Sequence, residues 1–394
     1  MSGHVKSPQR RNGMLLVLGI LLIAANLRAP ITGVAPLLDM IREATGISVT
    51  QAGILTTLPL LAFGLISPFA ATLASRFGME RSLFGALVVI AGAIALRSSG
   101  PIWALFAGTA MLGAGIAIGN VLLPSLLKRD FPTKIGELTA AYALTAGAVA
   151  AIASAFAVPM ASLPGMNWNG ALAAFLVVPT MAAAAWIPQL RKDTTPAIIH
   201  PDATDKVAVW RSALAWQVTL FFGLTSSVYY VIIGWLPTML GDLGYSAHAA
   251  GTLHGLSQLA SALPGLLLAP LIARFSSQST IAVGTSLLVT LAVLGLWLAP
   301  GLAAVWVPLF GFSAGGCFIL ALAFVSLRAR NTHSAAALSG MAQCVGYCLA
   351  AMAPPATGFL RESSGSWGST FALCALATIL LAGTGYFVGR SATV

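Results

Sequence analysis

Twelve apolar runs recur along this chain, most of them 20 residues or longer. They lie at 14–38, 48–74, 82–98, 102–127, 137–160 and 168–188, then at 212–239, 249–273, 279–298, 302–327, 335–359 and 368–389. At 1.5 Å per residue, about 20 residues cross the ~30 Å hydrocarbon core of a bilayer. Only 8% of the 394 residues are charged, against about 25% in a soluble domain. So few charges cannot cover a water-facing surface. A spanning segment must satisfy its backbone internally, so these runs are helices. The expected fold class is an all-α integral membrane protein with twelve transmembrane helices. The N-terminal MSGHVKSPQRRNG ahead of the first run resembles a signal peptide, but no small-residue cleavage site follows, and it is read as leading into a retained first helix.

Lys and Arg orient the chain. With the N-terminus inside, sixteen fall on the cytoplasmic side; Arg42, Arg97 and Arg361 fall outside, and Arg28 lies within the membrane. That bias predicts a bacterial inner-membrane protein with both termini cytoplasmic. It also accounts for the net charge of +10 without a nucleic-acid partner. Cys317, Cys344, Cys348 and Cys374 all fall in spans and suit packing rather than a disulfide or metal.

Arg28 sits in MLLVLGILLIAANLRAPITGVAPLL, roughly 21 Å along the helix from Met14. Placing an arginine at that depth costs at least about 2.5–3.5 kcal/mol, and guanidinium stays charged at any relevant pH. No Asp or Glu lies in the interior of any span. Two roles fit: receiving an anion in a polar cavity, or tying down backbone carbonyls at the Pro30 break. Intramembrane charge favours the first.

The polar segment 189–211 divides the chain into an N-terminal bundle (1–188) and a C-terminal bundle (212–394). Gln51–Phe77 aligns without gaps to Ala249–Phe275, with eleven of 27 positions identical. Trp168 and Trp367 open the last helix of each half, and Pro36 and Pro237 end the first. Carrying over the last offset puts Tyr229 at the depth of Arg28.

Two parallel six-helix halves resemble the major facilitator superfamily. The loop after helix 2, Ala71-Thr72-Leu73-Ala74-Ser75-Arg76-Phe77-Gly78-Met79-Glu80-Arg81, is similar to that superfamily's G-x-L-A-D-R-x-G-R-[RK] motif. Arg76, Gly78 and Arg81 match; Ala71 replaces the first glycine and Ser75 the aspartate. Further strings are Leu27-Arg28 with Ala35-Pro36-Leu37-Leu38, Gly119–Pro124, Lys128–Pro132, Ala215–Thr219, Trp235-Leu236-Pro237 and Leu338–Gln343 with Gly346-Tyr347. Together these resemble the cyanate and 2-nitroimidazole transporter family (CynX/NimT). Arg76–Phe84 and Val228–Pro237 look closer to its nitroimidazole branch.

The resemblance implies that helices 1, 4, 7 and 10 line a central path, which would include Arg28. Tyr229 and Tyr230 either stack on or hydrogen-bond a planar guest, or pack between helices; one of them is expected to point fully inward. Gln258 lies at a similar depth. His254, one turn away, is the sole histidine inside a span, and is either a proton-coupling group or a passive donor. Gln343 and Tyr347 share a face of helix 11. Asn120 is expected near the cytoplasmic mouth, in gating. Gly113, Gly115 and Gly119, and Gly311, Gly315 and Gly316, permit close helix contact.

No phosphate loop, metal cluster or catalytic triad is legible, so an enzyme is not expected, nor any cofactor. The reading is a monomeric secondary transporter for a small anion or a planar nitro-heterocycle. It works by alternating access, with proton-coupled efflux one option. A passive anion channel and an uptake carrier for another small organic anion are the alternatives. The lack of intramembrane carboxylates argues against sodium coupling.

Overall fold

The computed structural model describes residues 8–191, 209–275, 277–330 and 332–390. Most of the 189–211 linker therefore lies outside the described residues. The first half contains α1 (Pro8–Asn26), α2 (Ala29–Thr32), α3 (Leu38–Thr45), α4 (Val49–Phe77), α5 (Met79–Arg97), α6 (Ile102–Asp130), α7 (Ile135–Ala161), α8 (Trp168–Ala174) and α9 (Val177–Trp186). The second contains α10 (Ala213–Asp242), α11 (Ala247–Ala262), α12 (Pro264–Arg274), α13 (Ser279–Leu298), α14 (Ala303–Leu327), α15 (Thr332–Ser364) and α16 (Gly368–Val388). Among the described residues there is no strand.

Eleven helical segments among these residues are long and apolar enough to cross a membrane. The expected run 249–273 is instead split into α11 and α12. Pro264 has no N–H to give and its ring crowds the preceding turn, so α11 stops at Ala262 and α12 restarts on Pro264. The same physics breaks the first crossing. Pro30 follows a turn at Leu27–Arg28, and Pro36 sits in a short 3-10 turn, Ala35–Leu37. Helix ends are capped locally: Ser48 and Gln51 form a reciprocal capping box, and Ser246 accepts from the Ala249 amide. Gly78 joins α4 to α5 with φ +86°, a conformation that L side chains rarely adopt.

The two halves repeat their packing. Gly113 of α6 lies against Pro59 of α4, where an added Cβ would meet the Pro59 Cα at 2.6 Å. Gly311 of α14 lies against Ser257 of α11, where a Cβ would meet the Ser257 carbonyl. Both pairs are 198 positions apart, the offset that aligns Gln51–Phe77 with Ala249–Phe275. The glycines read from sequence as close-contact positions therefore hold matching helix pairs.

The halves meet along two seams. One joins α4 to α15: a Cβ on Gly53 would meet the Pro354 carbonyl at 2.7 Å, and Thr57 donates to Ala351 O at 3.0 Å. The other joins α7 to α11: a Cβ on Gly255 would meet the Ala151 carbonyl at 2.6 Å. Thr50, at the start of α4, donates to both oxygens of Glu362, at the end of α15. We call the face where α1 begins and α16 ends the terminal face. These contacts close the molecule on the opposite, far face.

Candidate functional site

A cavity of about 470 Å³ lies between the halves, beneath this seal. Its wall runs from Leu55 and Arg97, nearer the far face, to Asn120, Pro124, Leu322 and Ser339, nearer the terminal face. Most of the wall is apolar, with a few convergent polar groups, as small-molecule sites usually are.

Arg28 stands at the break of the first crossing, with φ −128° and ψ −46°. Its Nη1 donates to Ser261 Oγ at 2.9 Å, and Nη2 lies 3.5 Å from Tyr229 Oη. The Tyr229 hydroxyl donates to Gln258 Oε1 at 3.0 Å. The chain Ser261–Arg28–Tyr229–Gln258 thus links the first crossing to α10 and α11. No carboxylate is among the residues lining the cavity, so the guanidinium faces it without an internal counter-ion.

The backbone-tethering role weighed for Arg28 at Pro30 falls to another residue. Arg97, counted from sequence among the outer-side charges, is 0% exposed and donates from Nη1 to the Pro30 carbonyl at 2.6 Å. That carbonyl is released because Val34 turns to Ile31 instead of continuing an α-helix. Arg97 escaped notice because it ends an apolar run just before Ser98-Ser99-Gly100, a sequence that reads as a loop.

Both Tyr229 and Tyr230 line the cavity, contrary to the expectation of one. Their rings pack edge to face at 5.2 Å between centroids, and Tyr229 also stacks near Phe310. Consecutive residues on a helix are separated by about 100°, and the broad cavity accepts both. Gln343 and Tyr347 also line it: Gln343 Nε2 donates to Ser339 Oγ at 2.8 Å, and Tyr347 packs edge-on against Phe63 and Phe222. Tyr142 of α7 joins the wall; a single aromatic early in an Ala-rich helix carried no sequence signal. Asn120 is exposed and lines the terminal-face end.

His254 and Gln258 are both 0% exposed and are not among the residues lining the cavity. His254 Nδ1 lies 2.5 Å from Ser154 Oγ, and that hydroxyl also sits 3.2 Å from Gly251 O. His254 is therefore built into the α7–α11 seam. Gln258 reaches the cavity only through Tyr229.

The loop-motif residues stand on the terminal face, away from the cavity. Ser75 donates only to Thr72 O, at 2.7 Å, and Arg76 lies over the Phe77 ring. Gly78 makes the tight turn that buries Glu80 to 1% exposure, paired with Arg129 at 2.7 Å. Trp186 Nε1 donates to the Glu80 carbonyl at 3.0 Å. Arg81 is exposed one position beyond Glu80. The four cysteines are free, Cys317 and Cys374 buried among apolar neighbours.

Relatives of known name share this chain's length. It is 50% identical over 380 residues to the 2-nitroimidazole transporter of Escherichia coli (strain K12), covering 96% of each chain. It is 40% identical to the uncharacterized transporter YycB of Bacillus subtilis (strain 168), over 95% of this chain and 93% of that one. The cyanate transport protein CynX of Escherichia coli (strain K12) is 31% identical, over 93% and 94%. Among solved structures, a D-xylose-proton symporter superposes with a TM-score of 0.76 at 13% identity, covering 98% of this chain and all of that one. A bacterial homologue of the lysosomal transporter Spinster, in an inward-facing and occupied conformation, gives 0.74 at 14% identity, covering 98% of each. Those two likenesses concern the fold alone. The family model for the Major Facilitator Superfamily matches residues 16–351. With the paired bundles and the central cavity, this places the chain in the Major Facilitator Superfamily, in the branch of the 2-nitroimidazole and cyanate transporters and nearer to the former.

Proposed function

We propose that this protein is a secondary transporter that moves a small planar nitro-heterocycle, of the 2-nitroimidazole kind, or a small anion such as cyanate, by alternating access. The observation that carries the reading is Arg28, a guanidinium with no lining counter-ion, held by Ser261 and Tyr229 in a cavity that both halves line. A nitro group or an oxyanion supplies the acceptors that guanidinium lacks there. Tyr229, Tyr230 and Tyr347 offer flat faces and hydroxyls to a small ring.

The seam on the far face and the polar residues at the terminal-face end support a carrier caught open to one side. The excess of Lys and Arg makes the terminal face cytoplasmic, in a bacterial inner membrane. A cavity open to the cytoplasm suits loading from inside, so export is the proposed direction. One chain holds a complete cavity, so the working unit is a monomer. His254 stands in the seam rather than at the cavity, so any proton coupling through it acts on closure of the far face. Asn120 is the proposed polar gate at the terminal-face mouth.

Counterflow in proteoliposomes tests this reading. Vesicles preloaded with unlabelled 2-nitroimidazole should transiently accumulate external label above equilibrium. Simple equilibration without overshoot would indicate a channel, and no movement of 2-nitroimidazole or cyanate would remove the substrate assignment.

A further inference from the structure

Arg97 is more than a tether. Its Nη1 holds the Pro30 carbonyl, but Nε and Nη2 are buried and have no hydrogen-bond partner among the described residues. Those two N–H groups share one edge of the guanidinium, the fork that takes both oxygens of a carboxylate or nitro group. Leaving charged donors buried and unpaired is costly, so a resident guest is their natural partner. Arg97 is also among the residues lining the cavity that Arg28 faces.

Packing does not demand an arginine there. Arg97 rests on Gly108, where an added Cβ would meet the Arg97 Cβ at 2.7 Å. The same contact in the second half pairs Gly295 with Trp306, each 198 positions later. There the large residue comes from the other helix, and its indole donates to the nearby Ala299 carbonyl. The second half packs a neutral ring at this crossing; the first half packs only the backbone and Cβ of Arg97 there, a contact that any residue with a Cβ would make. Arg28 precedes α2, and Arg97 binds the carbonyl of that helix's second residue. The backbone of Arg28 and the carbonyl that Arg97 grips therefore lie within one turn of chain, about 5 Å, so both arginines are tied to the same break in the first crossing.

Resting on the function proposed above, we propose that Arg97 is a second binding position in the same cavity. The guest it selects is a planar anion with acceptor groups at both ends: one end on Arg28 and Tyr229, the other on the Arg97 fork. A 4-hydroxybenzoate has that form, and a nitroimidazolate ring offers its nitro oxygens to one guanidinium and a flanking ring nitrogen to the other, whereas cyanate is too short to reach both.

The test is equilibrium binding to the purified full-length protein, with 2-nitroimidazole, 4-hydroxybenzoate and cyanate as probes. Wild type should bind at least one of the two ring compounds tenfold or more tightly than cyanate. Arg97→Lys keeps the charge and a donor for Pro30 but loses the fork. It should weaken that ring compound at least tenfold and cyanate less than twofold, whereas Arg28→Gln should weaken every probe that binds. Ring-compound affinity within twofold of wild type in Arg97→Lys overturns the second position and leaves the proposed function standing. So does an equal loss for rings and cyanate, which would mean that Arg97 merely shapes the turn carrying Arg28. If the variant does not fold, the wild-type comparison decides: equal affinity for rings and cyanate overturns the proposal. Wild type binding none of the three overturns both this inference and the function it rests on.

Discussion

The N-terminal half carries its chemistry as charge, and the C-terminal half repeats the same positions with neutral groups. Arg28 meets its counterpart Tyr229 at the cavity wall, 3.5 Å away. Glu80 pairs with Arg129, whereas its counterpart Gln278 accepts from Arg328, which also donates to Val388 O and Gly389 O. Arg97 over Gly108 matches Trp306 over Gly295. The scaffold therefore tolerates either version, and the charges of the first half need a reason beyond folding. At the cavity the proposed reason is the guest. At Glu80–Arg129 it is an ion pair whose carboxylate is buried, which suffers when its partner is lost.

The largest break in this comparison should come from the facing pair itself. Arg28→Gln should lower transport by about 10–100-fold, since charge-assisted bonds contribute about 1.5–3 kcal/mol. Tyr229→Phe should lower it by no more than about tenfold, as for a neutral bond. Initial rates in proteoliposomes measure both, and equal losses would erase the proposed difference between the halves.

The shared scaffold should respond alike on both sides. Gly113→Ala and Gly311→Ala each drive a methyl into the backbone of the facing helix. Each should cost about 1–3 kcal/mol, seen as a lower apparent Tm in detergent. A large drop on one side alone would show that the pseudo-symmetric packing is not energetically equivalent.

The terminal-face latches should differ. Glu80→Gln removes the charge of the carboxylate that pairs with Arg129 and should cost about 1–3 kcal/mol. Gln278→Leu leaves Arg328 its two carbonyls and should cost about 1 kcal/mol. Paired thermal melts would reveal the reverse order if the charged latch is dispensable.

The smallest effect is expected at the far-face seam. His254→Gln retains a partner for Ser154, so guest affinity should stay within about twofold, because the side chain is not part of the cavity wall. A tenfold loss of binding would move His254 from the seam into the site.

Much of this was legible from residue spacing. The shared A-G start and R-F end of Gln51–Phe77 and Ala249–Phe275 reveal the repeat, and the repeat brings Tyr229 opposite Arg28. Proline positions foretold the break at Pro30, but the split at Pro264 was hidden because its neighbours stay apolar. Arg97 was not legible: a charge at the end of a span looks solvated until the partner helix is known. Gly108 marks only that α5 and α6 approach closely there, because it meets the backbone and Cβ of Arg97 and the Ala93 carbonyl. Glu80 was lost in the same way, because the tight turn at Gly78 carries α5 back into the bundle before any loop forms. His254 shows the converse. A lone spanning histidine draws attention by its chemistry, whereas its place in a seam depends on Ser154, 100 positions earlier.

The central claim is that the Arg28 guanidinium binds the guest. Equilibrium binding of 2-nitroimidazole to wild type and to Arg28→Lys, with thermal melts in parallel, tests it most directly. Lysine keeps the charge and loses the planar fork. The account predicts at least about a tenfold weaker affinity with an unchanged apparent Tm. Wild-type affinity in the lysine variant would contradict it.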